Sequence, residues 1–201
     1  YDGCHYPMVG GATVISVGQK SHYVTPQMAR RGDLVIITKG AAIEATGIFA
    51  LAFKERIREE FGEAFSRRAE KIFYQMSVVE DALTAASVGT REKGVTAMHD
   101  ATECGVWGGL YEVAKASGVG MRIEKDEIIV LDEVEKICAR FGMDPYSSIS
   151  EGTLILTCKP AKADLILKKL ERKGIPASVV GEVIPEARGI VLVEGGRERP
   201  L

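Results

Sequence analysis

The segment Met98-His99-Asp100-Ala101-Thr102-Glu103-Cys104-Gly105-Val106-Trp107-Gly108-Gly109 decides how this chain is read. The run Gly94–Met98 that leads into it predicts a strand, which delivers His99 and Asp100 to its end. Thr102 is a capping residue type, and glycines open a helix predicted from about Gly105 to Ser117. Free backbone N–H groups at a helix start, with no Cβ in the way, form an anion site. Histidine is the side chain suited to proton transfer near neutral pH. Asp100 could orient His99 or help hold a metal. The same residues also suit a purely local role, with Thr102 a simple cap, Gly105 and Gly108 permitting close packing, and His99 bonded nearby.

Two further stretches repeat this logic. Asp33–Thr38 is a short, apolar, β-branched run and predicts a buried strand. It ends in Lys39-Gly40, and a helix pattern begins at Ala41. Lys39 adds a positive charge beside that helix start, but neither the glycine spacing nor the Lys-Ser/Thr pair of a phosphate-binding P-loop is present. An ordinary strand-to-helix turn fits as well. In Ser148-Ile149-Ser150-Glu151-Gly152-Thr153-Leu154 a carboxylate precedes a glycine and a strand, where a bare turn is the alternative.

The flanking elements follow from periodicity. Helices are predicted over Glu63–Met76, over Val78–Val88 with Val79, Leu83 and Ala86 inward, over Leu131–Phe141 with Gly142 as its stop, and over Lys162–Lys173. Strands are predicted at Gly10–Val17, Val119–Glu124, Thr153–Lys159, Ala177–Val180 and Ile190–Val193. Helices and strands alternate without a strict βαβ rhythm, which suits an α+β sheet with helices packed on it. Gly195–Pro200 reads as a polar, frayed tail.

Composition bounds the function classes. The 201 residues are 46% hydrophobic and 27% charged, with a formal net charge of −2. This is a globular profile without the basic excess of a nucleic-acid binder. No apolar run is long enough to span a membrane. The start, Tyr1-Asp2-Gly3-Cys4, lacks the features of a signal peptide. The absence of an initial Met, with a strand almost at once, suggests a truncated or processed product. Cys4, Cys104, Cys138 and Cys158 are widely spaced, with no Cys-x-x-Cys, so neither a disulfide framework nor a zinc site is expected and a reduced, cytoplasmic setting follows. Cys138 and Cys158 read as buried small hydrophobes, whereas Cys104 lies beside the candidate anion site, where oxidation sensitivity is conceivable.

Taken together, Gly10-Gly11-Ala12-Thr13, Arg31-Gly32-Asp33 through Lys39-Gly40, Thr96-Ala97-Met98-His99-Asp100-Ala101-Thr102-Glu103, Gly105-Val106, and Ser150-Glu151-Gly152-Thr153-Leu154 resemble the AIR synthase-related (PurM-like) superfamily, on its hydrogenase-maturation (HypE-like) branch. The resemblance runs from about Val9 to Val193 and is most specific at His99–Gly105. It implies an α+β fold of the AIR synthase C-terminal type, an α/β/α layered domain over 31–195. Residues 1–30 would be the end of an N-terminal β lobe with its connector, and 196–201 a tail.

The resemblance also implies an enzyme using ATP and magnesium to phosphorylate an amide or carbamoyl-type oxygen of a small molecule or protein, working as a homodimer. Carried over, His99 and Asp100 would be catalytic, and Thr102, Gly105, Lys39, Gly40 and Glu151 would bind phosphate or substrate. No metal ligand is assigned. Three departures stand against this. The acidic N-terminal segment of the family is absent, Ala12-Thr13-Val14 replaces a polar stretch, and Cys104 stands where relatives carry glycine. A non-catalytic binding or assembly module is the second reading.

Overall fold

The computed structural model describes residues 11–201. Seven strands form one sheet: β1 (Leu34–Thr38), β2 (Val95–Ala101), β3 (Gly120–Glu124), β4 (Thr153–Cys158), β5 (Ala177–Ile184), β6 (Ile190–Glu194) and β7 (Arg197–Pro200). Their order is β2-β4-β1-β5-β3-β6-β7. All neighbours are antiparallel except β3 and β6. The α-helices among the described residues are α1 (Ile43–Ala52), α2 (Lys54–Phe61), α3 (Glu63–Ile72), α4 (Val79–Ala86), α5 (Gly105–Ser117), α6 (Asp132–Phe141) and α7 (Pro160–Arg172).

The pleat sends alternate side chains to opposite faces, and both faces are covered. Val35, Ile37, Ala97, Ile155, Met121 and Ile123 pack beneath α5, against Val106, Leu110 and Val113. Ile36, Leu154, Leu156 and Cys158 pack on the other side, against Ala85 of α4 and Ala163, Ile166 and Leu170 of α7. The expected α/β/α layering is therefore what the chain forms. A third group, made of α1, α2, α3 and α6, closes its own smaller apolar clusters.

Three expectations change. The strand expected at Gly10–Val17 is not formed. Its start at Gly10, like Cys4 and His5, lies outside the described residues, and from Gly11 to Val17 the backbone has no regular structure. Val14, Ile15 and Val17 are 92%, 85% and 95% exposed. Strand-prone side chains form a strand only where a neighbour offers a hydrogen-bonding edge, and no described strand pairs with this segment. The polar tail, expected to fray, is instead held as β7 on the sheet edge, with Val191 opposite Pro200 and Glu194 opposite Arg197. Glu198 accepts hydrogen bonds from Arg122 and Arg188, which adds a side-chain hold to the ladder. The third concerns α4. Asp81 and Ala85 face inward, while Val79 and Leu83 face solvent.

Candidate functional site

β2 is one of the two edge strands of the sheet, and it carries His99 on the face covered by α5. The imidazole Nε2 lies 2.7 Å from Glu112 Oε2, on the second turn of that helix, and Nδ1 lies 3.4 Å from Asp100 Oδ1. Both ring nitrogens thus face carboxylates, and the ring is only about one-fifth exposed. Asp100 itself points to solvent from the opposite face of β2. The hydrogen-bond partner of His99 is Glu112, which the sequence does not single out, while Asp100, its neighbour on β2, comes no nearer than 3.4 Å. Nothing in the spacing of Glu112 from His99 marks it, because their contact exists only once α5 folds back over β2.

Beyond β2 the chain turns at Thr102, Glu103 and Cys104. Cys104 adopts a left-handed conformation (φ 61°) and is exposed. Gly105 follows at φ 57°, and a Cβ there would lie 2.4 Å from the carbonyl oxygen of Ser148 and 2.7 Å from that of Tyr146. The helix start is therefore pressed against the 144–150 loop. Its amides are engaged by the protein: Gly105 N–H donates to Thr102 O (3.1 Å), Trp107 N–H to Tyr146 O (3.2 Å) and Gly108 N–H to Cys104 O (3.0 Å). Trp107 stacks on Tyr146 with ring centroids 4.9 Å apart. Gly105 thus permits close packing against the loop, and one amide of the helix start, that of Trp107, is taken by a loop carbonyl.

The β1–α1 turn is closed in the same manner. Lys39 N–H donates to Pro176 O, Ala41 N–H to Ile129 O, Ala45 N–H to Ile149 O, and Ile43 N–H to the Ser150 hydroxyl. Gly40 (φ 115°) is required because a Cβ would meet Ile129 O at 2.4 Å. Lys39, expected as a cation beside the helix start, is turned inward and buried. Its ammonium donates to Gln75 O (3.0 Å), Ser77 O (2.9 Å) and Asp81 Oδ2 (3.2 Å). Asp81 Oδ1 in turn accepts from the Thr38 hydroxyl at 2.6 Å. An ammonium has three N–H donors, and all three are used.

What gathers at the sheet end is acidic. Ser150 N–H donates to Thr102 O, which joins the 148–153 loop to the β2–α5 turn, and Glu151 N–H donates to Glu44 Oε2 at 3.3 Å. Partial burial raises the Glu44 carboxyl above the usual range. The Glu151 amide opposes this, while the negative charges of Glu151 and Glu103 add to it. Glu103 is held below the usual range by its own backbone N–H and by the Thr102 hydroxyl. Glu151 and Thr102 thus share this end with Glu44 and Glu103, two carboxylates that the sequence reading did not single out. His99 lies along the sheet edge and Lys39 inside the fold.

Carboxylates of this kind repel a bare phosphate. Among the described residues, no three His, Cys, Asp or Glu side chains lie close enough to hold a metal ion. No helix among the described residues is long and apolar enough to cross a membrane.

Comparison with known proteins matches residues 30–194 to the family model described as AIR synthase related protein, C-terminal domain. A carbamoyl dehydratase HypE from Cupriavidus necator is 30% identical over 138 residues, which is 66% of this chain and 39% of that protein. The crystal structure of Escherichia coli HypE, a hydrogenase maturation protein, superposes with a TM-score of 0.71 at 23% identity, covering 89% of this chain and 52% of that one. HypE crystallised in complex with ATP superposes with a TM-score of 0.60 at 20% identity, covering 88% and 52%. The chain therefore spans about half, or less, of the length of these proteins.

Proposed function

The chain belongs to the AIR synthase-related family through that family's C-terminal domain, and from this premise we propose that it serves as the C-terminal part of an ATP-dependent enzyme of the hydrogenase-maturation type. The observation that carries the reading is the family match across 30–194, joined to 30% identity with a carbamoyl dehydratase. The reaction would be phosphorylation of an amide or carbamoyl-type oxygen on a small molecule or protein, with ATP and magnesium, in a cytoplasmic homodimer. Among the described residues no cluster of three His, Cys, Asp or Glu side chains could hold a metal ion, so in this reading the magnesium contacts would come from the rest of the enzyme.

This chain would supply one wall of that enzyme's active-site cleft. His99 presents a ring held by its hydrogen bond to Glu112, with Asp100 3.4 Å from the other ring nitrogen. It would accept or deliver a proton at the substrate. Thr102, Glu103 and Glu151 would line the adjoining end, where acidic groups suit a cation-bearing ligand better than a free anion. Gly105 and Gly40 let the two turns approach their loops.

A calorimetric titration of magnesium with a non-hydrolysable ATP analogue tests this, run on the 201-residue chain and on the full product of its gene. Saturable binding to the latter, with turnover of ATP, is the expected result. There His99→Ala should keep the melting temperature and cut turnover by roughly two to four decades. Near-normal turnover removes His99 from the chemistry. Binding in neither preparation favours the second reading, a non-catalytic binding or assembly module. That reading has its own support in the inward Lys39 and the loop-capped helix starts.

A further inference from the structure

Helix α4 turns its large apolar side chains away from the core. Asp81 faces inward to meet Lys39 and Thr38, and Ala85 follows it one turn later. Val79 and Leu83, also one turn apart, are thereby carried outward to 61% and 68% exposure. Helix α7 runs antiparallel beside them. Lys173 Nζ sits 3.2 Å from Glu80 near the start of α4, and Lys169 Nζ 2.9 Å from the Ser87 hydroxyl at its end. On α7, Leu165, Lys169 and Arg172 recur at i, i+4 and i+7 and so share one face, and Leu165 is also exposed.

Between the two helices lies an open groove of about 700 Å³, lined by Val79, Glu80 and Leu83 on one wall and Lys169, Arg172 and Lys173 on the other. The charge is lopsided. Among the described residues Lys173 has Glu80 as a carboxylate partner, whereas Lys169 and Arg172 have none within salt-bridge distance. A chain with a net charge of −2 thus concentrates unneutralised cations along an apolar trough. The walls are helices, with no free sheet edge to accept an added strand, so the mode that fits is a helix laid into a groove.

We propose that the α4–α7 groove is a docking site for an acidic amphipathic helix of a partner protein, its apolar stripe covering Val79 and Leu83 and its carboxylates meeting Lys169 and Arg172. The proposal is independent of the nucleotide reading. Apolar contact would supply most of the affinity, while the cations fix orientation and exclude basic competitors.

The test is fluorescence anisotropy with a labelled helical peptide carrying leucines at successive i, i+4 and i+7 positions and glutamates elsewhere, titrated with the full chain. The same peptide with lysines for glutamates is the comparison. The acidic peptide should bind saturably and at least about tenfold more tightly than its basic counterpart, with an affinity that falls as salt rises. Leu83→Asp and Arg172→Glu should each weaken it about tenfold or more. Both positions are exposed, and unchanged melting temperatures confirm that the variants fold. Absence of saturable binding, equal binding of the lysine peptide, or indifference to both substitutions overturns the proposal. So does sedimentation velocity showing self-association that Leu83→Asp abolishes, since the groove would then serve a second copy of this chain.

Discussion

Lys39 directly follows the last residue of β1. Its place before a glycine and a helix start suggests a phosphate contact, yet its ammonium is buried and holds Gln75, Ser77 and Asp81. A buried charge is tolerated when a partner and further hydrogen bonds replace water. Asp81 supplies the charge, two carbonyls complete the shell, and the Thr38 hydroxyl satisfies the other carboxylate oxygen. The pair therefore fixes the start of α4 against the end of β1. Asp81→Ala leaves the ammonium uncompensated and should cost about 3–5 kcal/mol. Replacing both partners, with Lys39→Met and Asp81→Leu, removes the buried charges together and should return stability to within roughly 1–2 kcal/mol of the parent. Urea midpoints of the single and double variants measure this. A single variant losing no more than the double would show that the pair is not coupled.

At the scale of elements, the strands were legible wherever an apolar, β-branched run met a buried face, as in Leu34–Thr38 and Thr153–Cys158. β7 was not, because Arg197-Glu198-Arg199-Pro200 has no apolar pattern and is held by its ladder to β6 and by arginine–glutamate pairs. The facing of α4 escapes the local sequence for a related reason. Val79 and Leu83 have helical spacing, but Asp81 is drawn inward by a lysine more than forty residues earlier, which no local window contains. The β2–α5 turn was legible as a place and not as a geometry. Its glycine stands out in the sequence, whereas the carbonyls of Tyr146 and Ser148 that fill the turn do not. This makes Gly105→Ala informative. The new Cβ would sit 2.4 Å from one backbone oxygen and 2.7 Å from another, at a positive φ. Backbone cannot swing aside as a side chain can, so α5 or the loop must shift, at a cost of about 2–4 kcal/mol. Trp107, the sole tryptophan, reports the shift directly. Its emission should move to the red as its stack on Tyr146 loosens, and an unchanged spectrum with unchanged stability would mean that the contact is not maintained in solution.

For the molecule as a whole, the apolar interior is divided. Cys158 lies in the sheet core beneath α4 and α7, while Cys138 lies in the smaller cluster that α1 and α6 close with Ala42, Ala45 and Val134. Burial drives both thiols up, to about 12 for Cys158, with Asp33 adding to it, and to about 11 for Cys138, with Asp144 adding to it. At pH 8 neither is a reactive thiolate in the closed state, so alkylation must wait for each region to open. The two regions differ in what resists opening. Cys158 lies on β4, which is laddered on both sides, to β1 and to β2, and covered by α4 and α7, whereas the helical group meets the sheet through the β1–α1 turn, whose amides bond to Ile129, Ile149 and Ser150. Fewer apolar contacts and fewer crossing hydrogen bonds mean a lower opening free energy. Cys138 should therefore label at lower urea than Cys158, with an opening free energy roughly 1–3 kcal/mol smaller. Mass spectrometry of alkylated peptides across a urea series resolves the two sites. A single shared midpoint would show instead that the turn couples the helical group to the sheet tightly enough for the chain to open as one unit.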